Sequence, residues 1–209
     1  MKWISFRNSS VVSILVSNLL LLIATIVFKW DGLGVFILYI IETVIIAIYH
    51  VFKLFIIGHL DHTNRIKVEG APGLVGTIAT VLFFMFHFGF FLFIQTMLIL
   101  PMKSGSFIKT FTSINDYLGG ENRWLVIAFF IINFYSLIKY IFIDDAYEGK
   151  TFQKILMEPY PRIFVQQFVV IIGSGILMIL GSSLAFVLFF IFIKTIIELN
   201  VDLFTQDVK

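Results

Sequence analysis

Apolar residues in this chain do not recur with the period of a one-sided soluble helix or of a half-buried strand. They come in long, nearly unbroken runs, roughly 10–28, 34–57, 74–100, 124–143, 163–180 and 184–199. A helix needs about 20 such residues to cross ~30 Å of hydrocarbon. Lipid offers the backbone no hydrogen bonds, so each run is predicted to be helical. The first four are long enough to span, and the third is long enough to require tilt. Only Gly181, Ser182 and Ser183 separate the last two. One helix across both would reach about 55 Å at 1.5 Å per residue, so two spans are the better reading. The period of two expected of a membrane β-barrel is missing. The expected fold is all-α: a polytopic bundle of about six transmembrane helices forming one integral membrane domain, 1–209.

The stretch 101–123 is the longest polar interruption on the side opposite the N-terminus. Within it Phe107, Phe111, Ile114 and Leu118 recur at helical spacing, which predicts a short amphipathic helix lying on the membrane surface. Ser106 is its candidate cap and Gly119-Gly120 its end. With the N-terminus in the cytoplasm, ten Lys and Arg fall on the inner side (Lys53, Lys150, Lys154 and Arg162 among them) and four on the outer side, with Lys194 left within a span. The positive-inside rule then predicts a multi-pass cell-membrane protein with both termini cytoplasmic.

Composition agrees with the pattern. Hydrophobic types make up 59% of the 209 residues and charged types 13%, against about 45–50% and 25% in soluble domains. A mean hydropathy of +1.01 is more than one soluble core can hide. A soluble enzyme, a disordered regulator and a nucleic-acid-binding module are excluded. The net charge of +2 carries no basic stripe, and the absence of cysteine excludes disulfides and thiolate chemistry. Membrane lipids are the expected partners, and a homo-oligomer is compatible with the pattern.

The informative residues are polar ones inside the spans, because an ionisable group near the bilayer centre costs about 2.5–3.5 kcal/mol and should have a partner or line a wet cavity. These are Glu42, His50, His87, Lys194 and Glu198. Helix rise places Glu42 about 12 Å and Lys194 about 15 Å from the outer edge, with Glu198 near 21 Å and His50 near 24 Å. His87 falls between these levels. The depths predict that Glu42 meets Lys194, and that Glu198 meets His50 or His87. The charges balance as Glu42 and Glu198 against Lys53 and Lys194. Helical phase groups Lys194, Glu198 and Asp202 on one stripe, Arg162, Gln166 and Gly173 on a second, and Asn133, Ser136 and Tyr140 on a third. The expectation is a polar cavity opening inward, its candidate binding residues Glu42, His50, His87, Arg162, Gln166, Lys194 and Glu198.

Each feature also has a plainer reading. Lys194 and Glu198 could form only a structural pair, and His87 only an interhelical hydrogen bond. Gly89, Gly173 and Gly175 suit close helix approach. A divalent metal held by Glu42, His50, His87 and Glu198 has suitable donor types, but no HExxH or paired Glu-x-x-His spacing supports it. His59-Leu60-Asp61-His62 lacks a third partner. No GxSxG or P-loop is present. No cofactor is predicted, and a divalent metal stays a minor alternative.

Four fragments resemble those of a family of uncharacterised bacterial and archaeal integral membrane proteins, a domain of unknown function. They are Tyr39-Ile40-Ile41-Glu42, Phe86-His87-Phe88-Gly89-Phe90-Phe91, Glu158-Pro159-Tyr160-Pro161-Arg162-Ile163, and Lys194-Thr195 with Glu198. The resemblance implies a six-helix membrane protein and supplies no activity. The family pattern often has His where Gln166 stands, and Asp followed four residues later by His where Glu198 and Asp202 stand. These departures weaken a metal-centred mechanism for this chain.

Three functions follow as expectations. The first is a small transporter or channel-like protein for an ion or small polar solute, with Glu42 and Glu198 as proton or cation sites, Lys194 as countercharge and His50 and His87 as relay groups. The second is an intramembrane enzyme acting on a lipid or lipid-linked substrate, with a carboxylate base partnered by His87. The third is a structural or assembly protein whose polar residues lock helices together.

Overall fold

The computed structural model describes residues 9–27, 32–60, 69, 72–104, 123–180 and 184–207. Among these, six long helices account for most of the chain: α1 Ser9–Val27, α2 Gly32–Leu60, α3 Gly73–Ser104, α4 Arg123–Ile138, α6 Tyr160–Leu180 and α7 Leu184–Asp207. A short helix, α5 Phe152–Met157, precedes α6. Gly34–His59, Gly73–Met97, Arg123–Ile143 and Phe152–Gly173 are long and apolar enough to cross a membrane, and Val11–Val27 is a shorter apolar helix. α7 carries Lys194, Glu198, Asp202 and Asp207 and is not among the four.

The helices follow the six apolar runs, although α7 continues past its run to Asp207. The fifth run begins earlier than its hydropathy suggests, at Tyr160. The reason is the pair of prolines. Pro159 ends α5, because proline removes a helix-interior donor, whereas Pro161 sits in the first turn of α6, where that donor is not needed. The last two runs are separate helices that pack on each other. Residues 107–118, where a surface helix is expected, lie outside the described residues, as do 181–183.

α2 is the hub. It touches α3, α4, α5, α6 and α7, and successive contacts α3–α6, α6–α7, α7–α1 and α1–α4 form an arc around it. Two apolar clusters divide its length. One gathers Val35, Phe36, Leu38, Tyr39 and Ile45 with Leu21, Phe129, Val170 and Ile191. The other gathers Leu54 and Ile57 with Phe84, Phe88, Tyr140, Ile155 and Tyr160.

Polarity is inverted relative to a soluble domain. Val75 is 82% exposed and Phe86 80% exposed, while Lys194 and Glu198 are buried at 0% and 1%. An apolar outer surface of this kind suits lipid, not water. Some buried polar side chains are satisfied within their own helix. Thr25 donates to the Leu21 carbonyl, Thr43 to Tyr39 and Asn133 to Phe129.

Of the three glycines expected to allow close approach, only Gly173 does so. A methyl group there would run into the rings of Phe190 and Phe36, whereas Gly89 and Gly175 face open space. Gly58, against Thr77, is a second close contact, between α2 and α3.

Candidate functional site

Three helices bring four charges together. Glu42 projects from α2, Arg162 from the first turn of α6, and Lys194 and Glu198 from α7. Arg162 donates to Glu42 Oε1 at 2.6 Å, and its Nε lies 3.5 Å from Glu198 Oε1. Lys194 Nζ lies 3.5 Å from Glu42 Oε2 and 3.0 Å from Glu198 Oε1. The quartet closes as a ring in which each carboxylate meets both cations and each cation meets both carboxylates. Its net charge is zero.

Neutral groups complete the ring. Asn18 of α1 accepts from Lys194 at 3.0 Å and donates to Glu198 Oε2 at 2.8 Å. Lys194 Nζ sits 4.4 Å over the Tyr39 ring, a cation–π contact that strengthens where water is excluded. Gln166, one turn beyond Arg162, donates to the Tyr39 carbonyl. That carbonyl also takes the Thr43 hydroxyl, so the α2 backbone is clamped next to Glu42.

Glu42 meets Lys194, as depth along the helices predicts. Glu198 does not meet a histidine. It lies with Lys194, Arg162 and Asn18, because Lys194 is one turn back on the same helix and always within its reach. His50 lies two turns beyond Glu42 on α2. Its ring packs on Phe84 at 4.9 Å, and its buried Nε2 has no partner among the described residues. His87 of α3 makes a 3.1 Å hydrogen bond between Nδ1 and the Tyr160 hydroxyl, flanked by Phe83 and Phe91. Neither histidine joins the quartet. Of the four residues considered for a metal, Glu42 and Glu198 thus share the quartet while His50 and His87 lie apart, and the described residues hold no group of three His, Asp or Glu placed to bind one.

Lys53 is not part of the charge balance around Glu42. It pairs with Glu158 at 3.1 Å, and Arg162 takes its place in the quartet. Glu158 also takes Lys150 on its other oxygen and the Tyr140 hydroxyl at 2.7 Å. Tyr140 reaches this point from a five-residue π turn, Lys139–Ile143, that extends α4. π turns recur at functional positions because they re-aim a side chain without breaking the helix. Asp145 (φ 44°) and Gly149 (φ 68°) then reverse the chain and return Lys150 over the Tyr140 ring, 5.0 Å from its centroid.

Reasoning from the sequence misses Asn18 and this second cluster. Asn18 is one polar residue in an apolar run, with no charge to draw notice. Glu158 stands beside two prolines and reads as loop. Yet Glu158-Pro159-Tyr160-Pro161-Arg162 joins both clusters: Glu158 reaches Lys53, Tyr160 reaches His87 and Arg162 reaches Glu42. A family model matches residues 1–208. By that match the chain belongs to the Family of unknown function (DUF6498). Neither the curated proteins nor the solved structures give a match.

Proposed function

We propose that this is a multi-pass membrane protein, both termini in the cytoplasm, that moves an ion or small polar solute by opening one side of the charged ring. The observation that carries the reading is double bridging: both carboxylates are held by both cations. A lock between helices needs only one pair. In a doubly bridged ring, one cation can turn away while each carboxylate keeps the other cation, and the single negative charge left uncompensated draws a proton or cation into the released position. A solute can then take the released position.

The members are unequal in access. Arg162 retains 17% side-chain exposure, while Lys194 has none. Arg162 is the proposed moving partner and Lys194 the fixed countercharge. Glu42 and Glu198 are the proposed proton or cation sites. His50 and His87 stand apart from the ring and take no part in this step. The test is flux through the purified chain in liposomes, read with a proton gradient and with monovalent cations. The wild type is expected to conduct, and the double variant Glu42→Gln/Glu198→Gln to lose flux while eluting as a folded protein. Equal flux in both would contradict these roles.

One observation favours a structural reading instead: Lys194 is saturated by Asn18, Glu42 and Glu198 at full burial. Under that reading the wild type carries no flux, and Glu42→Gln only lowers the unfolding temperature.

A further inference from the structure

Apart from the quartet, the second cluster has an unequal count of charges. Among the described residues Lys53 and Lys150 share a single carboxylate, Glu158, one on each oxygen, so this trio carries one positive charge more than its carboxylate offsets. Among the described residues no acid of the adjoining turn pairs with either lysine: Asp144 lies 3.6 Å from Lys139, Asp145 accepts from the Tyr147 hydroxyl, and Glu148 is exposed. Glu158 Oε1 takes both Lys150 and the Tyr140 hydroxyl, and Oε2 takes Lys53, so neither oxygen is idle. The aromatic face of Tyr140, 3.7 Å below Lys53 Nζ, supplies the remaining negative potential, and a quadrupole does not cancel a full charge.

Hydrogen-bond capacity points the same way. An ammonium carries three donors. Among the described residues Lys53 uses one, to Glu158, and Lys150 uses two, to Glu158 and to the Tyr140 hydroxyl. Three donors on two ammonium groups therefore remain. Both side chains are within reach from outside, at 17% and 21% exposure. Beside them His50 holds a buried, unpartnered Nε2. Lys53 stands about 10 Å from the end of α2 by helix rise, and Lys150 lies in the turn after α4, so the cluster sits at one end of the bundle. That is the level of lipid phosphates, and basic pockets between helices at this level hold anionic head groups.

From this excess charge and these spare donors, we infer that Lys53 and Lys150 form an anion site for a phosphate group, carried by an anionic phospholipid or present as free phosphate. A phosphodiester's single charge matches the single uncompensated charge of the cluster. Its two unesterified oxygens can accept from both ammonium groups at once. Glu158 and Tyr140 hold the two lysines in place and do not touch the ligand.

The test uses the full purified chain and reads its thermal unfolding. One arm titrates inorganic phosphate against chloride at equal ionic strength, in non-ionic detergent. The other compares phosphatidylglycerol with phosphatidylcholine in nanodiscs. A saturable rise in unfolding temperature with phosphatidylglycerol alone identifies the lipid as the source, and a rise with inorganic phosphate identifies the free anion. In Lys150→Gln the apparent affinity should fall about tenfold, the equivalent of one lost charged contact. Lys150 lies in a turn, so this variant tests the site even if Lys53→Gln fails to fold. No rise in either arm, or an equal rise in wild type and Lys150→Gln, overturns the inference.

Discussion

Lys194 is the residue on which the buried chemistry turns. It lies at zero exposure among Glu42, Glu198, Asn18 and the Tyr39 ring. Replacing it with Met leaves two carboxylates to a single cation, Arg162. Removing one partner of a buried ion pair costs about 3–5 kcal/mol, because the charge left behind cannot be hydrated. We expect Lys194→Met to lower the unfolding temperature sharply, and Lys194→Met/Glu198→Gln to recover much of the loss by restoring neutrality. Glu158→Gln should behave more mildly. Its partners are partly exposed and water can replace some of the lost pairing, so a loss of about 1–3 kcal/mol is expected. Denaturant unfolding in detergent measures both, and a larger loss in Glu158→Gln than in Lys194→Met would reverse the ranking.

At the level of the helices, α2 sets the arrangement. It is a continuous 29-residue helix, and its polar residues leave it in different directions: Glu42 toward α6 and α7, His50 and Lys53 toward α3, α4 and α5. Phase along a single helix shows that Glu42 and Lys53 lie near one face, but not which neighbour each faces. That is why the charge balance read from sequence pairs the wrong cation with the quartet. Depth along the helices is legible in the sequence, so Glu42 with Lys194 is recoverable. The rotation of one helix about another is not. The π turn at Lys139–Ile143 adds to this, since it alters the phase that places Tyr140. Close packing gives a test at the same scale. Gly173→Ala should lose about 1–3 kcal/mol by overpacking against Phe190 and Phe36. Gly89→Ala and Gly175→Ala, which meet nothing within 4 Å, should be neutral or slightly stabilising, as removing a helical glycine usually is. Equal losses in all three would show that the α6–α7 contact is looser than described.

Over the whole molecule, the long apolar runs already dictate an all-helical protein. They also give the helix starts to within a few residues, because the cost of exposing backbone to lipid leaves no other choice, although α7 continues to Asp207, well past its apolar run. Asn18, Glu158 and α5 are not legible, since each depends on what another helix presents to it. The proposed orientation has its own test, made simple by the absence of native cysteine. Single cysteines at Glu148 and at Asn122 should label from opposite sides of a sealed membrane, position 148 from the cytoplasm. Labelling of both from one side would contradict the six-span arrangement. The central claim is that Glu42, Arg162, Lys194 and Glu198 act as one closed unit. A double-mutant cycle on Glu42→Gln and Arg162→Gln, read by equilibrium unfolding, tests it most directly. The two residues lie 120 positions apart in sequence, so any coupling must come through space. The ring requires that the double variant lose less than the sum of the single losses, by at least about 1 kcal/mol. Additivity within about 0.5 kcal/mol would mean that the two charges do not interact and that the ring does not exist.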